Sequence, residues 1–103
     1  MALEKLSGND KLKMKLERGQ ILKTLAIFYP RATMLSELKL SLTARGIGTI
    51  ANLDSHLQYL QDAELIKRDT GLDKVDESDD LIRLIKKGVN LIEGDYEDAG
   101  VML

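Results

Sequence analysis

No cysteine occurs in this 103-residue chain, so disulfides, zinc-thiolate centres and thiol catalysis are excluded by inventory. Histidine occurs once, at position 56, which rules out a multi-histidine metal site or a histidine-pair acid–base device within one chain. Long apolar runs are also missing. The longest, such as Leu25 to Tyr29, fall far short of a bilayer span, and the N-terminus lacks the apolar stretch of a signal peptide. A cytoplasmic protein without membrane contact is the expectation. No Gly-rich phosphate loop follows a strand, Ser36, Ser41 and Ser55 have no nucleophile context, and acids pair only in flexible stretches. Neither an enzyme nor a bound cofactor or metal is expected.

What remains is an ordinary globular composition, 44% hydrophobic and 31% charged, with room for one core. The net charge of -2 is unevenly spread. Residues 1 to 31 hold seven bases against three acids, residues 32 to 66 two against four, and residues 67 to 103 six against ten. The positive end is the N-terminal one.

Asn9 or Asp10 can cap a first helix near residues 10–29, which must stop before Pro30. Gly19 divides its apolar positions, Leu12 and Leu16 from Ile21, Leu22, Leu25 and Phe28, and marks either a bend or a close packing contact. Thr33 is the cap expected for a second helix near 34–45, carrying Leu35, Leu38 and Leu42. After Gly46-Ile47-Gly48, Thr49 caps a third helix near 50–62, whose Ile50, Leu53, Leu57 and Leu60 form a clean apolar stripe. Residues 65–69 and 81–85 are short enough to pair as a β-hairpin, joined by an acidic, solvated loop at 70–79. A short helix near 86–93 closes a single domain over residues 1–95, and residues 96–103 look like a tail. The expected class is mainly α with a small β-hairpin, in the order of a winged helix-turn-helix.

The join Leu57-Gln58-Tyr59-Leu60-Gln61-Asp62-Ala63-Glu64-Leu65-Ile66 resembles the helix-to-strand passage of arsenic-repressor-like (ArsR-like) and multidrug-repressor-like winged helices. Leu84-Ile85-Lys86-Lys87-Gly88 is similar to their wing exit, with Ile85 where a capping threonine is usual. Residues 17 to 101 also resemble small winged-helix proteins of Mu-like prophages, through Ile21 to Tyr29, Leu53 to Ile66, and Gly88-Val89-Asn90-Leu91-Ile92-Glu93-Gly94 with Ala99-Gly100-Val101. That family has proline before the last glycine and then a basic tail, whereas this chain has Ala99 and runs out at Met102-Leu103. The resemblance implies the winged-helix fold and dimerisation through terminal helices, without the nucleic-acid contact of the basic tail; the helix-helix-helix-hairpin order leads to the expectation of a prophage-related, transcription-regulator-like protein that binds double-stranded DNA weakly or as a dimer.

The residues themselves divide on this point. On the third helix Asn52, Ser55, Gln58 and Tyr59 are the candidates for base or sugar contact. Yet no lysine or arginine lies between Arg45 and Lys67, and the loop at 70–79 sets Lys74 against four acids, which repels phosphate. Lys11, Lys15 and Arg18, at i, i+4 and i+7, form the best phosphate-facing stripe. Beside them Leu12 and Leu16 are candidates to pack a second subunit, making a homodimer. The rival function is contact with a protein partner and no DNA binding. His56 is expected to be a partly exposed helix residue.

Overall fold

The computed structural model describes residues 8–70 and 80–103. Residues 1–7 and 71–79 lie outside them, and with the latter all but the first residue of the loop expected at 70–79. The chain is mainly helical with a small antiparallel sheet, in the order α1 (Gly8–Phe28), β1 (Thr33–Met34), α2 (Leu35–Ala44), α3 (Leu53–Asp62), β2 (Ile66–Asp69), β3 (Leu81–Leu84) and α4 (Lys86–Glu93).

α1 is one continuous helix with no break at Gly19. Its two halves bury different sides. Ile21, Leu22 and Leu25 are shut into the core, while Leu12 and Leu16 each remain 42% exposed. At 3.6 residues per turn these two sets point roughly 150° apart. Gly19 marks a close packing contact: a Cβ there would collide with the Met102 carbonyl.

The sheet has three strands in the order β1-β3-β2, one more than the hairpin expected from the sequence. Thr33 and Met34 pair antiparallel with Ile82 and Leu81, and Ile66 to Asp69 pair with Leu84 back to Leu81. A two-residue strand is too short to show an alternating pattern. β1 also displaces Thr33 from its expected cap, because the residue is buried against β3. Met34 stands at the N-cap instead, its N–H donating to the Glu37 carboxylate at 3.1 Å.

The third helix begins later than its apolar spacing suggests. Asn52, with φ 58° and ψ 38°, is its N-cap in place of Thr49, and Ile50 enters the core from the preceding turn. Gly46 and Gly48 adopt positive φ in that turn, and the Ile47 N–H donates to the Leu42 carbonyl at 2.9 Å. α2 and α3 are thereby joined within eight residues, 45–52.

One core holds the elements together. Leu22, Leu25, Leu38, Leu57, Leu60, Leu65, Ile82 and Leu84 are each 1% exposed or less, and each such burial contributes about 1.5–3 kcal/mol. α4 closes over it through Leu91 and through Gly88, where a Cβ would strike the Leu65 carbonyl. That carbonyl already accepts the Ile85 N–H at 3.2 Å. Ile85, in the place of the usual threonine, makes no side-chain cap for α4.

Residues 96–103 are not loose. They return to α1 and α3, where the Met102 N–H donates to the Lys15 carbonyl at 3.0 Å and Gly100 is buried against the Tyr59 ring.

Candidate nucleic-acid interface

α3 buries Leu57 and Leu60 and turns Asn52, Ser55 and Gln58 to solvent. Interleaved on that open face are Asp54 and Asp62, both exposed. Neither acid is bare. Arg68 on β2 donates to Asp54 at 3.2 Å and to the largely buried Asp80 at 3.0 Å. Burial works against the Arg68 charge, but the bonds to Asp80 and Asp54 outweigh it and raise the pKa above its ordinary value. Gln58 Nε2 donates to Asp62 Oδ1 at 2.8 Å, one helical turn on. No large apolar side chain is exposed on α3.

Tyr59 lies elsewhere. It is half-buried on the side of α3 that meets α1, with the Arg18 guanidinium 4.0 Å from its ring centroid. Its hydroxyl donates to Asp98 Oδ1 at 2.6 Å, which also accepts the Gly100 N–H at 2.8 Å. The Asp98 bond, aided by burial, pushes the Tyr59 pKa up. Arg18 Nη1 donates to the Gly100 carbonyl at 3.1 Å. The Lys11, Lys15, Arg18 stripe is thus divided: Lys11 is exposed, Lys15 is half-buried, and Arg18 is held under residues 98–100.

Between α1 and α3 runs an open groove of about 600 Å³, lined by Lys13, Met14, Glu17 and Arg18 on one wall and Asn52, Ser55, Gln58 and Tyr59 on the other. The exposed Lys13 lines this groove with the α3 candidates, as do the acids Asp10 and Asp62. Its spacing from Lys11 and Lys15 puts it off their stripe, so no pattern within α1 marked it; only the docking of α3 does.

His56 is on this wall too, and it is buried rather than partly exposed, at 2%. It falls between Leu53, Leu57 and Leu60 on the helix, on the flank covered by α1. Its Nε2 lies 3.3 Å from Glu17 Oε1. A carboxylate only accepts, so the neutral ring carries its proton on Nε2. Nδ1 finds no hydrogen-bond partner among the described residues. Burial pushes the His56 pKa below its ordinary value; the bond to Glu17 opposes this and the Arg18 charge adds to it. Among the described residues no cluster of three histidine, cysteine or acidic side chains could hold a metal ion, and no helix is long and apolar enough to cross a membrane.

Leu12 and Leu16 stand beside Met102 and Leu103, which are 43% and 50% exposed and whose backbone lies along Lys15 and Gly19. No family model, no curated protein and no solved structure matches the chain.

Proposed function

We propose that the chain is a noncatalytic winged-helix protein that binds double-stranded DNA through α3, as a transcription regulator of the prophage kind that its sequence resembles. The observation that carries this is the open face of α3. Asn52, Ser55 and Gln58 are exposed together there with no apolar side chain among them. Amides and hydroxyls of this kind hydrogen-bond base edges, whereas the core of a protein interface is apolar. Of the two acids on the face, Asp54 is paired with Arg68, which lowers its repulsion toward phosphate, while Asp62 keeps its charge and holds the Gln58 amide.

A second copy is proposed to pack on Leu12 and Leu16, giving a homodimer. The apolar surface of the molecule and its polar α3 face are then separate, one for assembly and one for DNA.

The test is binding to mixed-sequence duplex DNA across a salt series. Lys11, Lys13 and Lys15 supply few phosphate contacts, so a weak complex with a shallow salt slope is expected, each contact adding about 0.9 to the slope. Asn52→Ala and Gln58→Ala should each cost about 1–3 kcal/mol on a preferred sequence. No binding even at low salt would overturn the DNA role. It would favour the second function, contact with a protein partner, which is suggested by the engagement of Arg18 and Arg68 in internal bonds.

A further inference from the structure

Residues 98–103 are joined to the rest of the molecule by an unusually directed set of contacts. Asp98 takes the Tyr59 hydroxyl, the Gly100 carbonyl takes Arg18 Nη1, and the Met102 N–H donates to the Lys15 carbonyl. Glycine is demanded on both sides: a Cβ at Gly100 would enter the Tyr59 ring, and one at Gly19 would strike the Met102 carbonyl. The segment therefore lies on two of the side chains that α1 and α3 would offer to nucleic acid, Arg18 and Tyr59.

The docked state leaves a donor unsatisfied. Arg18 Nε is buried with no hydrogen-bond partner among the described residues. Desolvating part of a guanidinium without a full set of acceptors weakens the hold of the segment. Arg18 also already lines the groove that contains Asn52, Ser55 and Gln58. Release of the segment removes the Gly100 carbonyl from Arg18 and the Asp98 carboxylate from the Tyr59 hydroxyl, leaving the guanidinium against a ring that is no longer anchored. The guanidinium is then a cation at the edge of the α3 face, where no other arginine is free.

We infer that residues 98–103 form a releasable strap that occupies Arg18 Nη1 and the Tyr59 hydroxyl at the edge of the α1–α3 groove, an autoinhibitory contact whose opening strengthens DNA binding. This inference rests on the DNA-binding role proposed above, and the two can fail separately. The variant is Gly100→Ala in the full chain, with two readouts. Amide hydrogen exchange at Gly100 to Met102 reports the strap, and duplex binding across a salt series reports the function.

The expected result is fast exchange at residues 100–102 with protection retained in α2 and β3. DNA binding should tighten, with a salt slope steeper by about 0.9, the value of one added phosphate contact. Arg18→Gln in the same background should abolish the gain. If Gly100→Ala fails to fold, Tyr59→Phe removes the Asp98 bond without added bulk and should give the same pattern with a smaller gain. Fast exchange with wild-type DNA affinity and slope would overturn the inference and leave the DNA role standing. Unchanged protection at 100–102 in both variants would also overturn it, because the strap would not be releasable. No DNA binding by the wild type or by either variant would overturn both.

Discussion

Gly88→Ala separates local propensity from tertiary packing, because the two predict opposite signs. Position 88 is the third residue of α4, where alanine is favoured over glycine by at most about 0.8–1 kcal/mol, the helix-interior value. An isolated helix would therefore gain. In the folded chain a Cβ at 88 meets the Leu65 carbonyl and a Leu84 methyl. The carbonyl belongs to the backbone at the α3–β2 join and already holds the Ile85 N–H, so it has little freedom to retreat. Forcing one methyl into a packed contact costs about 1–3 kcal/mol, and loosening the Ile85 bond adds about 1 kcal/mol. After the propensity gain, the net destabilisation is about 1–3 kcal/mol. For a domain of this size each kcal/mol corresponds to about 4–8 °C in Tm. Urea unfolding should show a lower midpoint at an unchanged slope. Gly8→Ala, where nothing lies within 4 Å of the added methyl, is the control and should be neutral or slightly stabilising. A Gly88→Ala chain as stable as the wild type would refute the packing of α4 on the α3–β2 join.

Three further outcomes are expected. Because burial holds the His56 pKa below its unfolded value of 6.5, the unfolded chain binds the proton more readily; stability is fully present above pH 6.5 and falls as pH drops toward the folded value. Urea titrations from pH 7.5 downward should show this loss, and His56→Gln should remove the part that begins at pH 6.5. Arg68→Gln takes the Arg68 charge from the largely buried Asp80 and from Asp54, which should destabilise the fold by about 1–3 kcal/mol in the same assay, with Asp80→Asn partly restoring it. Leu12→Glu with Leu16→Glu, at positions exposed in the single chain, should bring the mass seen by light scattering from dimer to monomer and remove the dependence of Tm on protein concentration; a wild-type chain that is monomeric at high concentration would refute the second-copy contact.

The elements were legible in the sequence wherever their apolar residues repeat over several turns. Leu35, Leu38 and Leu42 mark α2, and Leu53, Leu57 and Leu60 mark α3, because helical period and core burial select the same residues. β1 was not legible, since two residues carry no period and Thr33 reads locally as a cap. The displaced caps were no more legible: Asn52, a residue type that tolerates the left-handed conformation, stands at the N-cap of α3 with φ 58° and without a side-chain cap bond.

The candidate site divides along the same line. Sequence by itself determined that Asn52, Ser55, Gln58 and Tyr59 lie off the leucine stripe of α3, because helical spacing sets that whatever α3 packs against. It also determined that α1 has two apolar sides, since the spacing of Leu12 and Leu16 cannot share a face with Ile21, Leu22 and Leu25. Only the tertiary structure decided the fate of the edges. The exposure of Arg18, Tyr59 and His56 depends on the neighbouring element, and the neighbours prove to be Gly100, Asp98 and Glu17, between 39 and 82 residues away. Hydrogen bonds across such separations follow from the way the whole chain packs, and no local pattern encodes them.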